Sequence, residues 1–259
     1  MNAQINVSNW SLILSFSLVL ISLAISYQQK LHLEKDTIIS VARAIIQLII
    51  VGYLLKFVFQ VNNTWLTLVM AVLIVFNAAR NAAYRSQGIP GAFKIAGVGL
   101  TISTLITVGI LVLTRVIKFE PYQLIPVTGM VAGNSMTAMG LVFRNLNQQF
   151  TDQQEVVQER LALGASPKLA TGDIAKEAIR TGMQPTIDSV RTYGLVSLPG
   201  MMTGLIMAGV DPIHAIKYQI VVVFMLLSAT GIASVYGSYL ATRKFYNAHW
   251  QLQLPKPKQ

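Results

Sequence analysis

Seven apolar runs, each close to the length that crosses a bilayer as a helix, constrain this chain more than any other feature. They are Ser8–Tyr27, Ile38–Gln60, Trp65–Ala79, Ile95–Thr114, Tyr122–Phe143, Thr192–Gly209 and Ile213–Ala241. A transmembrane helix needs about 20 residues to cover the hydrocarbon core. The third run is short as drawn and borrows Val61 to Thr64; the last is long enough to tilt. The expected fold is therefore all-α, a polytopic membrane protein of about seven transmembrane helices in one domain spanning 1–259. Composition agrees. Only 12% of the residues are charged and 53% are hydrophobic, whereas soluble domains carry about 25% charged residues.

The distribution of Lys and Arg predicts an orientation. With the N-terminus outside, the inside connectors hold Lys30, Lys35, Arg80, Arg85, Lys94, six basic residues between 144 and 191, and Arg243, Lys244, Lys256 and Lys258. The outside connectors hold Arg115 and Lys118 alone. Arg43, Lys56 and Lys217 sit near span ends, where long side chains snorkel to the interface. Fifteen against two predicts N-terminus out and C-terminus in. The same asymmetry accounts for the net charge of +10, so no nucleic-acid partner is expected. Met1 to Trp10 carries no charged side chain and no small-x-small cleavage pattern follows the first run, so a retained span is expected there. The end of the chain, 244–259, reads as a flexible tail.

One stretch breaks the apolar pattern. Arg144 to Arg191 is a polar segment of 48 residues with six acidic and six basic side chains, placed in the cytoplasm by the charge rule. Thr151 with Gln154 forms a capping-box pattern. A helix follows to Leu163, and Gly164 stands where a left-handed residue ends a helix. Ser166-Pro167 restarts one, Ser as N-cap and Pro at the first helical position. Ala170, Ile174 and Ala178 then recur on one face until Gly182, read as a stop, and Pro185 opens a third helix. Short cytoplasmic amphipathic helices between spans five and six are the expectation.

Absences narrow the chemistry. No Asp or Glu lies inside a drawn span, whereas ion-coupled carriers commonly hold an ionisable carboxylate in the membrane. There is no phosphate loop, no His-Glu-x-x-His and no Gly-x-Ser-x-Gly, so neither an enzyme nor ATP binding by this chain is expected. With no cysteine, disulfides and thiolate metal sites are excluded. His32, His214 and His249 have no ligand spacing, and a metal site is not identified.

Spans five and six carry the positive signals. Gly129 with Gly133 and Gly200 with Gly204 form Gly-x-x-x-Gly pairs, which let helix backbones approach closely. Met130, Asn134 and Thr137 recur on one face of span five, beside Ser135, and Met201 and Met202 follow Pro199 in span six. Asn and Thr in lipid require partners or water, so that face points into the protein or into a pathway. The methionines fill packing gaps or contact a soft metal directly. Gln47 and Asn77, within spans two and three, line a path or make interhelical hydrogen bonds.

Glu159-Arg160-Leu161-Ala162-Leu163-Gly164-Ala165-Ser166-Pro167, Ile179 to Pro185, Val196-Ser197-Leu198-Pro199-Gly200-Met201-Met202-Thr203-Gly204 and Gly129 to Gly140 together resemble the FetB/YbbM-type permeases. These are membrane subunits of a small ABC transporter assigned to iron export, with plant relatives linked to aluminium tolerance. The resemblance covers nearly the whole chain. It implies a permease homodimer in the cell (plasma or inner) membrane, working with a separately encoded cytoplasmic ATPase that holds ATP and Mg, while this chain carries no cofactor. It places the ATPase-coupling contact at Glu155, Glu159, Arg160, Leu163, Gly164, Ala165 and Pro167. The Glu159 to Gly164 run is also similar to the Glu-Ala-Ala loop of ABC importers, with Arg160-Leu161 in place of the paired alanines. The expected function is ATP-driven export of metal ions, iron by resemblance. Export of an organic solute such as a nucleotide-sugar, or a non-transporting scaffold recruiting a cytoplasmic partner, are the alternatives.

Overall fold

The computed structural model describes residues 8–247 and 250–255. His249, Lys256 and Lys258 lie outside the described residues. The described residues form helices, one 3-10 turn and two isolated bridges, with no strand among them. The chain divides into two compact units, Met1–Asn62 with Met207–Gly209 and Asn63–Ile206 with Val210–Gln259, and each is described by itself.

In the first unit α1 (Asn9–Ser15) and α2 (Ser17–Gln28) carry the first apolar run, with Phe16 between them in helical conformation. Ser8 caps α1 by accepting the Ser11 N–H at 3.1 Å. α3 (Glu34–Val61) follows a turn held by Ser26, whose hydroxyl donates to Glu34 at 2.8 Å and accepts the Leu33 N–H at 3.3 Å. α3 is apolar and exposed along most of its length, with Val58 buried, as expected of a helix that meets lipid or a larger assembly.

The second unit contains α4 (Thr64–Tyr84), α5 (Ala92–Leu113), α6 (Pro121–Asp152), α7 (Gln154–Ala162), α8 (Pro167–Ala170), α9 (Gly172–Thr192), α10 (Gly200–Met207) and α11 (Pro212–Thr242). Local sequence sets several of the boundaries. Asn63 caps α4 by accepting the Trp65 N–H at 2.8 Å, and Asp211 caps α11 through the Ile213 N–H at 2.9 Å. Pro121 opens α6 at a position where its missing N–H costs nothing.

α5 runs against α6 and α11. Ser103 lies 3.1 Å from the Ser135 hydroxyl and donates to the Ala229 carbonyl at 2.8 Å, joining the three helices at one buried polar node. Four residues away, Met139 fills the space between Gly99 and Gly237, whose missing side chains make room for it. This core extends from Ala78, Ala82, Ala96 and Leu100 to Phe143, Leu146 and Phe150. Val157 of α7, Ala170 of α8 and Ile174 of α9 belong to the same core. A second cluster, around Leu124, Val131, Val222 and Met225, occupies the other half of the bundle.

Three sequence expectations change here. Among the described residues five helices are individually long and apolar enough to cross a membrane: α3, α4, α5, α6 and α11. The run Thr192–Gly209 is not one helix. After α9 ends, the N–H groups of Leu195, Val196 and Ser197 all turn back to the Thr192 carbonyl, Tyr193 bridges Ser197, and α10 has only 8 residues. Pro199 lacks an N–H and disfavours helix at Leu198, which accounts for the break.

Secondly, Gly182 does not stop a helix. α9 runs unbroken through Gly182 and Pro185 to Thr192. It lies antiparallel to α6 and α11: Ala175 faces Ser238, Gly182 faces Ser234 and Ala138, and Met183 faces Gly231. Nor does the Thr151 capping box form, since α6 continues to Asp152 and Thr151 donates back to the Asn147 carbonyl at 2.8 Å.

Thirdly, the described part of the expected tail is partly folded. Phe245 is fully buried and stacks on Phe150 with centroids 4.0 Å apart. The Gln253 N–H donates to the Phe245 carbonyl at 2.7 Å, and Leu252 and Leu254 pack on the first core. A flexible tail from Lys244 onward does not describe these residues.

Candidate functional site

The polar segment builds a small rigid projection at one end of the second unit. α7 ends in a Schellman turn: the Ala165 N–H donates to the Arg160 carbonyl and the Gly164 N–H to the Leu161 carbonyl, both at 3.0 Å. Gly164 supplies the left-handed residue at φ +90° that this turn requires. Ser166 then caps α8, with Pro167 in its first position. Arg160 spans the turn, donating to the Ala170 carbonyl at 3.1 Å with Asp173 at 3.7 Å. Beneath, Val157 and Ala170 are buried in the bundle core.

The outer face of this projection is apolar and exposed. Leu163 and Leu169 are 88% and 74% exposed, too apolar to be favoured in water. Glu155 and Glu159 stand exposed on α7 beside them, while Ala165 and Pro167 are half-buried against the unit. Ala165 and Pro167 also border an open pocket of about 530 Å³ lined on its other side by Trp250, Gln251 and Leu252. All seven residues expected at a coupling contact thus fall within one hairpin.

The expected pathway residues scatter. Asn134 and Thr137 are exposed on α6, each donating to a carbonyl of its own helix, Met130 and Gly133 respectively. With Pro185, Thr186, Ser189 and Tyr193 they line a cleft of about 120 Å³ between α6 and α9. Ser135 is buried in the Ser103 node and does not reach that cleft. Met130 and Met201 pack on the second core cluster, and Met202 is half-buried on α10. Asn77 is exposed on α4, donating to the Leu73 carbonyl at 2.9 Å. Gln47 is exposed on α3, in the first unit. Among the described residues no three His, Asp or Glu side chains form a metal-holding group.

The Gly-x-x-x-Gly pairs do not serve helix packing within the chain. A Cβ at Gly129, Gly133, Gly200 or Gly204 would meet nothing within 4 Å. Close approaches occur at Gly99, Gly140, Gly182 and Gly237 instead. At Gly182 a Cβ would come 2.6 Å from Val142 Cγ2, 2.8 Å from Ser234 Oγ and 3.0 Å from the Ala138 carbonyl oxygen.

That contact sets the register of α9 against α6. At 1.5 Å per residue, Asp188 stands about 9 Å along α9 from Gly182. The same distance along α6 from Ala138 reaches Ala132, the middle of its apolar run. Asp188 is held by Gln184 Nε2 at 2.8 Å and Arg191 at 3.4 Å. Asp188 of α9 is therefore level with the middle of the apolar run of α6, although it lies outside every drawn span. One signal for α9 was present in the sequence, since Gly182 continues the Ala170, Ile174, Ala178 face at the same spacing of four.

The family profile described as "Uncharacterised protein family (UPF0014)" matches residues 9–246. The chain belongs to the UPF0014 family. It is 50% identical over 253 residues to "Probable iron export permease protein FetB" of Escherichia coli (strain K12), covering 98% of each chain. It is 38% identical to "Protein ALUMINUM SENSITIVE 3" of Arabidopsis thaliana, over 91% of this chain and 86% of that one. Against "UPF0014 membrane protein YjkA" of Bacillus subtilis (strain 168) the identity is 37%, over 94% and 97%. No solved structure matches. This UPF0014 chain is a multi-pass, all-α membrane protein.

Proposed function

We propose that this chain is the membrane subunit of an ABC exporter, carrying metal ions outward with energy from a separate cytoplasmic ATPase. The observation that carries the reading is the α7–α8 hairpin. Its exposed tip is joined through Arg160, Val157, Ala170 and Ile174 to the core that holds α6 and α11, so a push on the tip moves α9 against both helices. Cores of this density transmit displacement instead of absorbing it.

The chain crosses the membrane seven times with the N-terminus out and the C-terminus in. α1 with α2 makes the first crossing, α3 to α6 the next four, α9 with α10 an interrupted sixth, and α11 the last. The hairpin, Lys94, Arg144 and Arg243 then share the cytoplasmic side, where basic residues belong. Two copies form the permease, and the ATPase docks on Leu163, Gly164 and Leu169 beside Glu155 and Glu159. ATP and Mg are held by that partner. Iron is the favoured cargo because the half-identical relative is named for iron export.

The test is ATP-dependent iron uptake into inside-out proteoliposomes holding this chain with its partner ATPase. Iron accumulation supports the reading. Accumulation of a nucleotide-sugar instead moves the cargo to an organic solute. A stable complex that moves no solute makes the chain a scaffold.

A further inference from the structure

We propose that the charged face of α9 lines a water-filled path at the middle of the membrane, with Gln184, Asp188 and Arg191 as its wall. Three observations lead to it. First, Gly182 and Ala175 fix α9 in register against α6 and α11, and that register sets Asp188 level with the centre of both apolar helices. Secondly, Glu177, Arg180, Gln184, Asp188 and Arg191 recur at three- and four-residue spacing on the face turned away from the bundle. The Asp188 and Arg191 side chains are 53% and 71% exposed. Arg180 pairs with Glu177 at 2.7 Å on the same face. Thirdly, the helix ends just beyond, and the backbone of Tyr193 to Pro199 is irregular with Leu195 to Leu198 exposed. Non-helical backbone at membrane depth is tolerated only where protein buries it or water reaches it.

Lipid cannot face this stripe. Charged groups at the bilayer centre turn to the protein interior or to a water-filled cavity, and no other element of the second unit covers them. Interrupted helices with polar walls are a recurrent construction for solute paths. The Asn134–Thr137 face of α6 borders the same side through the cleft it shares with Pro185 and Ser189. Those two oxygen-bearing residues and the Asp188 carboxylate are hard ligands, suited to a hydrated cation. What travels the path rests on the transport reading above; the presence of water along α9 does not.

The natural chain has no cysteine, so single cysteines report their surroundings without background. Gln184→Cys and Ser189→Cys place a thiol on the stripe and in the cleft. Leu105→Cys is the reference, because Leu105 is 67% exposed on the apolar face of α5 and lies level with Gly133 by the Ser103–Ser135 contact. The full-length protein in membrane vesicles is treated with a charged, membrane-impermeant methanethiosulfonate. At least one of these two cysteines is expected to react tenfold or more faster than Leu105→Cys. Reaction of both at the Leu105→Cys rate overturns the proposal, as does oxidative cross-linking of both to a second copy without labelling, which marks a dry interface. Labelling on the stripe with no iron flux leaves the path standing and removes the transport reading alone.

Discussion

Gly182 and Ala138 lie so close that a side chain on the first would press its Cβ to 3.0 Å from the carbonyl oxygen of the second. This contact, with Val142 and Ser234 on either side, holds a charged helix against two apolar ones. Gly182→Ala is expected to destabilise the protein by about 1–3 kcal/mol, as overpacking does, because the Ala138 carbonyl is fixed in its helix and Val142 is β-branched and stiff at χ1. Thermal unfolding in detergent checks it, and an unchanged midpoint would show that α9 shifts freely.

Gly129→Ala with Gly133→Ala is the matching contrast. Nothing within 4 Å opposes a Cβ at either position, so the monomer's melting temperature should stay the same. If two copies meet on this face, the same pair of changes lowers the dimer fraction seen by light scattering.

Phe245→Ala should cost about 3–5 kcal/mol, the usual loss for a buried aromatic. The ring is fully buried on Phe150, which ties the end of α11 to the end of α6. A truncation after Thr242 should destabilise as much, measured by the same unfolding curve.

The Asp211 carboxylate caps α11, and the His214 backbone N–H, with that of Ile213, holds its pKa below the ordinary 3.8. A lowered folded pKa means the cap is fully formed above 3.8 and is lost as pH falls through the folded value below it. Asp211→Ala should speed amide exchange in the first turn of α11 at neutral pH, and Asp211→Asn should restore protection.

Much of this architecture was legible in the residues. Length and hydropathy alone marked α3, α4, α5, α6 and α11, because a run of apolar residues has few other uses. Gly164 and Ser166-Pro167 marked the hairpin, since each residue type suits one backbone position. α9 was hidden for two reasons. Its buried face adds to Ile174 only the small residues Ala175, Ala178 and Gly182, which hydropathy hardly weighs, and its outer face is charged. A glycine in a helix reads as a stop unless the neighbour that needs the space is known. Leu195 to Gly209 misled in the other direction, apolar enough for a span but interrupted at Pro199. The Gly-x-x-x-Gly pairs were plain in the sequence, yet which glycines touch depends on a register no single segment contains.

The central claim is that partner ATPase motion enters at the hairpin and reaches the membrane through α9. Its most direct test is iron-stimulated ATP hydrolysis by the assembled complex in proteoliposomes, compared between the natural chain and Gly164→Pro. Proline cannot adopt the φ of +90° found at Gly164, so the turn is rebuilt while the membrane helices are untouched. The account predicts that the complex still assembles and that stimulation by iron falls at least tenfold. Stimulation that is unchanged in Gly164→Pro, and unchanged again in Glu159→Arg, would contradict it.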